Sequence, residues 1–134
     1  MRRPQGAFLF FLLGAALAGA GVAAGAFGAH SLKAVLAPDM QAVFETAVRY
    51  QMYHALALLV VGALPGWGSP AAEPWLARSG WCFAAGVGLF SGSLYGIALA
   101  GWRWLGPVTP LGGLAFILGW GCLAAAALKG NAER

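Results

Sequence analysis

The sequence contains very little charge. Only 9% of its 134 residues are Asp, Glu, Lys or Arg, whereas a soluble domain has about 25%. Hydrophobic residues make up 60% of the chain, and the mean hydropathy is +0.75. This composition excludes an ordinary soluble domain and predicts an integral membrane protein. The sequence has room for one membrane domain, over residues 1–134, and not for an additional soluble module.

Residues for metal binding and covalent catalysis are also scarce. The two cysteines, Cys82 and Cys122, lie in apolar stretches without a CxxC spacing, so we expect them to pack as small hydrophobic side chains. The two histidines, His30 and His54, would approach each other if the first two helices are neighbours, which keeps a haem or metal site open as a hypothesis. No HExxH or GxSxG motif is present. We therefore predict no catalytic residue, no metal and no cofactor, and a protein that is not an enzyme.

The positive charge does not form a patch. The net charge of +4 is spread over the ends of the apolar segments, whereas nucleic-acid-binding proteins gather Lys and Arg on one surface. Nucleic acid is therefore not an expected partner. The expected partners are membrane lipids, together with a second copy of the chain or another membrane protein.

Four segments are long enough and apolar enough for transmembrane helices, which need about 20 residues each. We place these spans at approximately 6–29, 47–64, 79–102 and 107–128. The first segment follows Met1-Arg2-Arg3 and could also be a signal peptide, but its apolar run continues past a normal cleavage point, which favours a helix. The predicted fold class is an all-α membrane protein, an antiparallel bundle of four transmembrane helices.

A helix is also predicted before the second span, starting near Pro38, because proline is tolerated at the first helical position. The apolar residues Met40, Val43, Phe44, Ala47 and Val48 follow helical spacing, and the polar residues Gln41, Glu45 and Arg49 fall on the other side. This pattern predicts an amphipathic helical extension that lies in the membrane interface or projects from it.

The basic residues give an orientation. With four spans, one side carries Arg2, Arg3, Arg78, Lys129 and Arg134, and the other carries Lys33, Arg49 and Arg103. Since the more basic side usually faces the cytoplasm, we predict an inner (plasma) membrane protein with both termini cytoplasmic.

Small residues recur at intervals of four in the third span. They are Gly80, Ala84, Gly88, Gly92, Gly96 and Ala100, called here the small-residue row. On a regular α-helix they would form one groove for the backbone of another helix. The first span has its own small residues, including Gly21 and Gly25, and we expect this face to meet the groove on the third span.

Polar residues collect toward the side of the membrane opposite the termini. The candidate site consists of His30, Glu45, Arg49, Gln51, Tyr53, His54, Ser93, Tyr95 and Thr109. Polar groups at membrane depth are costly and therefore indicate function. Two interpretations remain open. One is a hydrophilic pocket for a headgroup, a quinone or a proton. The other is a structural clamp in which Glu45 pairs with Arg49, and His54 or Tyr95 satisfies backbone groups freed around the Gly- and Pro-rich helix starts.

Four ordered segments resemble one known family. They are GAFGAH (25–30), ETAVRYQMYHALALL (45–59), LFSGSLY (89–95) and GPVTPLGGLAFILGW (106–120). Across nearly its whole length the chain is similar to the YgdD-like family of small bacterial inner-membrane proteins, which includes YwdK and has vertebrate transmembrane relatives. The resemblance implies a multi-span helical membrane protein and no particular activity.

The leading functional prediction is a non-enzymatic protein that contacts lipids, interacts with a partner or assists assembly. The alternative is a small oligomeric transporter or channel for a solute, an ion or a proton, with Arg49, His54 and Tyr95 along a polar path.

Overall fold

The residues that the structure describes form helices joined by short turns. The structure is a computed structural model and describes residues 5–64 and 70–131. Its long helices are α1 (Gln5–His30), α2 (Pro38–Ala63), α3 (Glu73–Ala100) and α4 (Val108–Asn131). Short 3-10 turns occupy Leu32–Ala34 and Arg103–Leu105 in the connections. Helix α2 begins at Pro38, as its sequence predicts.

Three of these helices are long and apolar enough to cross a bilayer, which confirms the all-α membrane character. They correspond to Gly6–Ala34, Glu73–Ala100 and Arg103–Asn131. Helix α2 has comparable length, but Arg49, Gln51 and His54 lower its hydropathy. The basic residues Arg2, Arg3 and Arg134, on which the predicted orientation depends, lie outside the described residues.

Helices α1 and α2 pack backbone against backbone. A Cβ atom placed on Gly14 would lie 2.7 Å from the carbonyl oxygen of Ala55, and one on Gly62 would lie 2.5 Å from the amide nitrogen of Phe11. Only glycine permits this approach, because a side chain would force the two backbones apart. The paired positions show that the two helices run in opposite directions.

The predicted partner of the small residues in α1 was wrong. Gly21 faces the side chain of Met52, and Gly25 faces that of Val48, so this face of α1 lies against α2 and not against the row on α3. The physical reason is the close approach at Gly14 and Gly62, which brings α2 to the glycine side of α1 along its length.

Helix α4 packs on α3 in the same opposed manner. Gly112 lies against the backbone of Phe90, and a Cβ on Gly119 would lie 2.7 Å from the ring of Phe83. The main hydrophobic core lies between the four helices and comprises Phe10, Ala57, Leu58, Val61, Phe83, Val87 and Phe116. A smaller core of Leu32, Phe44 and Ala98 lies nearer the α1–α2 connection.

The small-residue row on α3 meets different neighbours along its length. On a helix of 3.6 residues per turn, residues four apart advance by about 40° around the axis at each step, so the row winds around α3. Helix α3 also contains a π-helical turn at Val87–Ser91. Gly80 faces the Phe10 ring, whereas Gly96 faces Leu105, and Gly88 and Gly92 have nothing within 4 Å. Ala84 is half-buried and Ala100 is exposed. The row therefore does not form one continuous groove for another helix of this chain.

Helix α3 ends where its sequence supplies a glycine. Gly101 adopts φ 69° and donates its N–H to the carbonyl of Ile97 at 3.1 Å. This left-handed conformation strains other residues and is the usual end of a helix. The turn that follows places Thr109, near the start of α4, beside the second half of α3.

Candidate functional site: a polar clamp and an aromatic cleft

Gln51 connects three helices inside the protein. Its Nε2 donates to the carbonyl oxygen of Leu17 in α1 at 2.8 Å, and its Oε1 accepts from the hydroxyl of Tyr95 in α3 at 2.7 Å. Gln51 is buried in α2. Because neither lipid nor bulk water can satisfy a buried amide, these partners stabilise one arrangement of the helices. Gln51, Tyr95 and the Leu17 carbonyl are called the polar clamp below.

Hydroxyl groups around the π-turn join α3 to its neighbours. Ser91 Oγ donates to the carbonyl of Ala47 in α2 at 2.7 Å. Ser93 Oγ donates to the carbonyl of Phe90 at 2.9 Å and lies 2.6 Å from Thr109 Oγ1. Since the single proton of Ser93 goes to Phe90, the hydroxyl of Thr109 is the donor in the second contact. Ser91 and Ser93 thus serve packing in this structure, and neither lies next to a general base.

A further amide lies where α1 ends against α2. The Nε2 of Gln41 donates to the carbonyl of Gly28 at 3.0 Å and to the Glu45 carboxylate at 3.2 Å. Its Oε1 is buried and has no partner among the described residues. Glu45 is exposed and bonds to Gln41, whereas the sequence suggested Arg49 as its partner. The sequence placed Gln41 on the polar face of the amphipathic extension but did not predict its contact with the end of α1.

His54 uses both of its ring nitrogens within the chain. Nδ1 lies 2.7 Å from the carbonyl oxygen of Tyr50, and Nε2 lies 3.1 Å from Nε1 of Trp120. Indole nitrogen only donates, so Nε2 is the acceptor and Nδ1 carries the proton. The imidazole also stacks on Phe116, with ring centres 3.5 Å apart and planes 5° apart. This imidazole is neutral and has no nitrogen left for a metal.

A cleft of about 690 Å³ opens sideways between α2 and α4. Its lining is mainly aromatic and apolar: Tyr50, Tyr53, His54, Phe90, Pro110, Gly113, Leu114, Phe116, Ile117 and Trp120. From Pro110 to Trp120 it extends about 15 Å along the helix axis. Its volume lies within the range of about 300–1,000 Å³ that is usual for small-molecule sites. We call it the aromatic cleft.

Two tyrosines that line this cleft have hydroxyls without a partner in the described part of the chain. Tyr53 is 54% exposed and Tyr50 is 37% exposed, and neither hydroxyl bonds to another residue in the described part of the chain. The Tyr50 ring lies 4.6 Å from that of Phe90 and 5.8 Å from that of Tyr53, measured between centres. The cleft therefore presents ring faces and hydrogen-bond donors to whatever enters it.

Comparison with known proteins gives the family. A family model described as "Protein of unknown function (DUF423)" matches residues 24–113. The chain belongs to this family. The DUF423 match includes the residues of the polar clamp on α2 and α3 and the hydroxyl contacts from Ser91 to Thr109, whereas Ile117 and Trp120 of the aromatic cleft lie beyond it.

Curated relatives of this DUF423 chain are described as membrane proteins. It is 46% identical over 121 residues to the UPF0382 membrane protein SERP0230 of Staphylococcus epidermidis, covering 90% of this chain and 96% of the relative. It is 43% identical over 125 residues to the UPF0382 membrane protein YwdK of Bacillus subtilis, covering 90% and 97%. No solved structure matches the chain. The resemblance to the family that includes YwdK is thereby confirmed, as is the membrane location.

The structure divides the predicted polar site of this DUF423 protein into separate groups. Gln51 meets Tyr95, and Ser93 meets Thr109. His54 and Tyr53 belong to the aromatic cleft instead. The remaining three predicted residues, His30, Glu45 and Arg49, are exposed.

The two histidines are not neighbours. His30 ends α1, where the preceding turn faces Gln41 and Phe44 at the start of α2, while His54 lies ten or more residues further along α2, about 15 Å away. No group of three or more His, Cys, Asp and Glu residues that could hold a metal occurs within residues 5–64 and 70–131. The two-histidine site therefore does not form in this arrangement.

Trp120 is the functional candidate that sequence analysis missed. It lies in the middle of α4, away from the helix ends where tryptophan normally anchors a span at the membrane interface. That unusual depth was a signal in the sequence, because an indole N–H in hydrocarbon needs an acceptor. Its acceptor, His54, is 66 positions earlier and only the fold brings them together.

Proposed function

We propose that α2 is a fourth membrane span and that the four helices form an antiparallel bundle. Helix α2 has 26 residues, which is about 39 Å of helix and exceeds a hydrocarbon core of about 30 Å. Its polar residues Gln51 and His54 are buried and hydrogen-bonded, so they lower its average hydropathy without facing lipid. The amphipathic start of α2 then lies at the interface. We further propose the inner (plasma) membrane, with both termini cytoplasmic, on the distribution of basic residues.

Within that bundle, we propose a non-enzymatic role: the protein binds a membrane-soluble molecule in the aromatic cleft. The single observation that carries this proposal is the cleft itself, about 690 Å³ in volume and open between α2 and α4. A ligand would enter sideways from the bilayer, because the cleft is lined by the outward side chains Leu114 and Ile117.

The polar residues support binding more than transport. A transport path needs polar groups that can exchange hydrogen-bond partners along the bundle. Gln51 and Tyr95 instead bond to each other, and Gln51 and Ser91 donate to backbone carbonyls. His54 is likewise bonded through both nitrogens. These contacts hold the helices in place beside the cleft, which is the role of a clamp.

Native mass spectrometry of gently extracted protein tests this function. We compare the wild type with Ile117→Trp, which fills the cleft at an exposed position, and with Leu118→Trp, an exposed neighbour that is not among the residues lining it. Wild type and Leu118→Trp should retain a bound small molecule, and Ile117→Trp should lose it. Bare protein in all three samples, or equal retention by Ile117→Trp, would refute a binding role for the cleft.

A further inference from the structure

We propose that the aromatic cleft binds a quinone-type lipid, meaning a flat conjugated ring with carbonyl oxygens on a hydrocarbon tail. This inference rests on the proposed binding function and names the ligand class of the same cleft. Three features of the cleft lead to it: the depth of its donors, the kind of polar group it leaves free, and the shape of its walls.

The first feature is depth. Trp120 lies twelve residues after the start of α4 and eleven before its end, so it is about 17 Å from either end of that helix. Tyr53 lies ten residues before the end of α2, about 15 Å along its axis. The ester and phosphate oxygens of phospholipids lie at the edges of a hydrocarbon core about 30 Å thick. Ordinary phospholipids therefore carry no acceptor at the level of Tyr53, the deeper of the two free tyrosine donors, whereas Tyr50 lies about 4.5 Å nearer the start of α2.

The second feature is the chemistry of the free groups. His54 gives its proton to the Tyr50 carbonyl and accepts the proton of Trp120, so neither group remains for a ligand. Tyr50 and Tyr53 line the cleft, and their hydroxyls are donors without a partner among the described residues. An unpaired hydroxyl in hydrocarbon is costly, and a carbonyl oxygen on an apolar ligand would satisfy it.

The third feature is the wall of rings. His54 and Phe116 stack with centres 3.5 Å apart and are buried, so they form the back of this wall. The rings exposed to a ligand are those of Tyr50, Tyr53 and Trp120. Trp120 is part of the same wall and donates to His54. Aromatic rings pack favourably against other flat rings, whereas a saturated acyl chain gains only apolar contact. A conjugated ring held at the tyrosines could extend its tail past Ile117 into the lipid.

The test uses the full chain in phospholipid nanodiscs and decylubiquinone as the probe. Its matched competitor is decylbenzene, which has a ring and a ten-carbon tail without carbonyl oxygens. The variants are the double change Tyr50→Phe with Tyr53→Phe, which keeps both rings and removes both hydroxyls, together with Ile117→Trp and its control Leu118→Trp. Binding is measured by native mass spectrometry and by competition between the two probes.

The wild type should bind one decylubiquinone per chain, about ten-fold more tightly than decylbenzene, as expected for one or two net hydrogen bonds. The double tyrosine variant should bind the two probes equally. Ile117→Trp should bind neither, and Leu118→Trp should match the wild type.

Two results would overturn the inference and separate it from the binding function. If the cleft retains a co-purified phospholipid that Ile117→Trp displaces, but shows no preference for decylubiquinone, the ligand class is wrong and the binding function stands. If Ile117→Trp changes no ligand and instead breaks a cross-linked dimer, the cleft is filled by a second copy and both proposals fail.

Discussion

Replacing Gly14 by alanine tests the close approach of α1 and α2. The new Cβ would lie 2.7 Å from the Ala55 carbonyl oxygen and 2.8 Å from the Leu59 nitrogen. Comfortable contact needs about 3.4 Å or more, so the helices must move apart by about 0.7 Å at this point. Overpacking of this kind costs about 1–3 kcal/mol, while the better helix propensity of alanine returns up to about 1 kcal/mol.

The matched control is Gly19→Ala on the same helix, because a Cβ there meets nothing within 4 Å. Both variants gain the same propensity, so the difference between them isolates the contact with α2. The free energy of unfolding, measured by denaturant titration in bicelles, should be about 1–3 kcal/mol lower for Gly14→Ala than for Gly19→Ala. Equal stabilities would show that the two backbones do not approach as described, and the packing of α1 on α2 would have to be revised.

Three further outcomes are expected. Gly92→Leu should leave the folded monomer intact, because nothing lies within 4 Å of a Cβ at that position. Loss of the folded monomer in a thermal-stability assay would contradict the exposed position. Loss of an oligomer alone would locate a partner there. Gln51→Leu should destabilise the protein by about 1–3 kcal/mol, since it removes two contacts and leaves the Tyr95 hydroxyl unpaired. Its control Thr46→Val loses only a bond to Ala42 within α2, so similar unfolding free energies for the two variants would argue against the clamp. A C-terminal reporter that is active only outside the cytoplasm should be inactive, and activity there would reverse the proposed orientation.

Much of the helical architecture could be predicted from composition and length. Uncharged runs long enough to span a bilayer gave the positions of α1, α3 and α4, and Pro38 gave the start of α2. Polar residues inside apolar segments identified Gln51, Tyr95, Ser93 and Thr109 as candidates. These signals were strong because a charged or polar side chain in hydrocarbon costs free energy wherever it lies in the chain. The sequence alone therefore shows where that cost arises.

The pairing of these residues could not be predicted in the same way. The sequence around Trp120 does not identify His54 as its acceptor. The four-residue spacing of the small-residue row likewise does not predict a π-turn at Val87–Ser91. At that turn Ser91 donates to the Ala47 carbonyl of α2, a contact between residues 44 positions apart. The expected single groove left out the rotation of about 40° that each four-residue step makes around a helix. The aromatic cleft arises only when α2 and α4 stand on either side of α3.

The π-turn also decides which changes of length α3 can accommodate. A deletion of one residue near position 89 would convert the π-turn to an α-turn and keep the second half of α3 in place. Each residue turns an α-helix by about 100°, so one further insertion there would swing Gly96 and the whole second half around the helix axis. Gly80 would keep its place against Phe10, while Ser93 would turn away from Thr109. The parts of α3 before and after the π-turn therefore have a fixed rotation relative to each other around the helix axis. We therefore expect length variation among related chains to fall in the connections, and no insertion between Gly80 and Gly96.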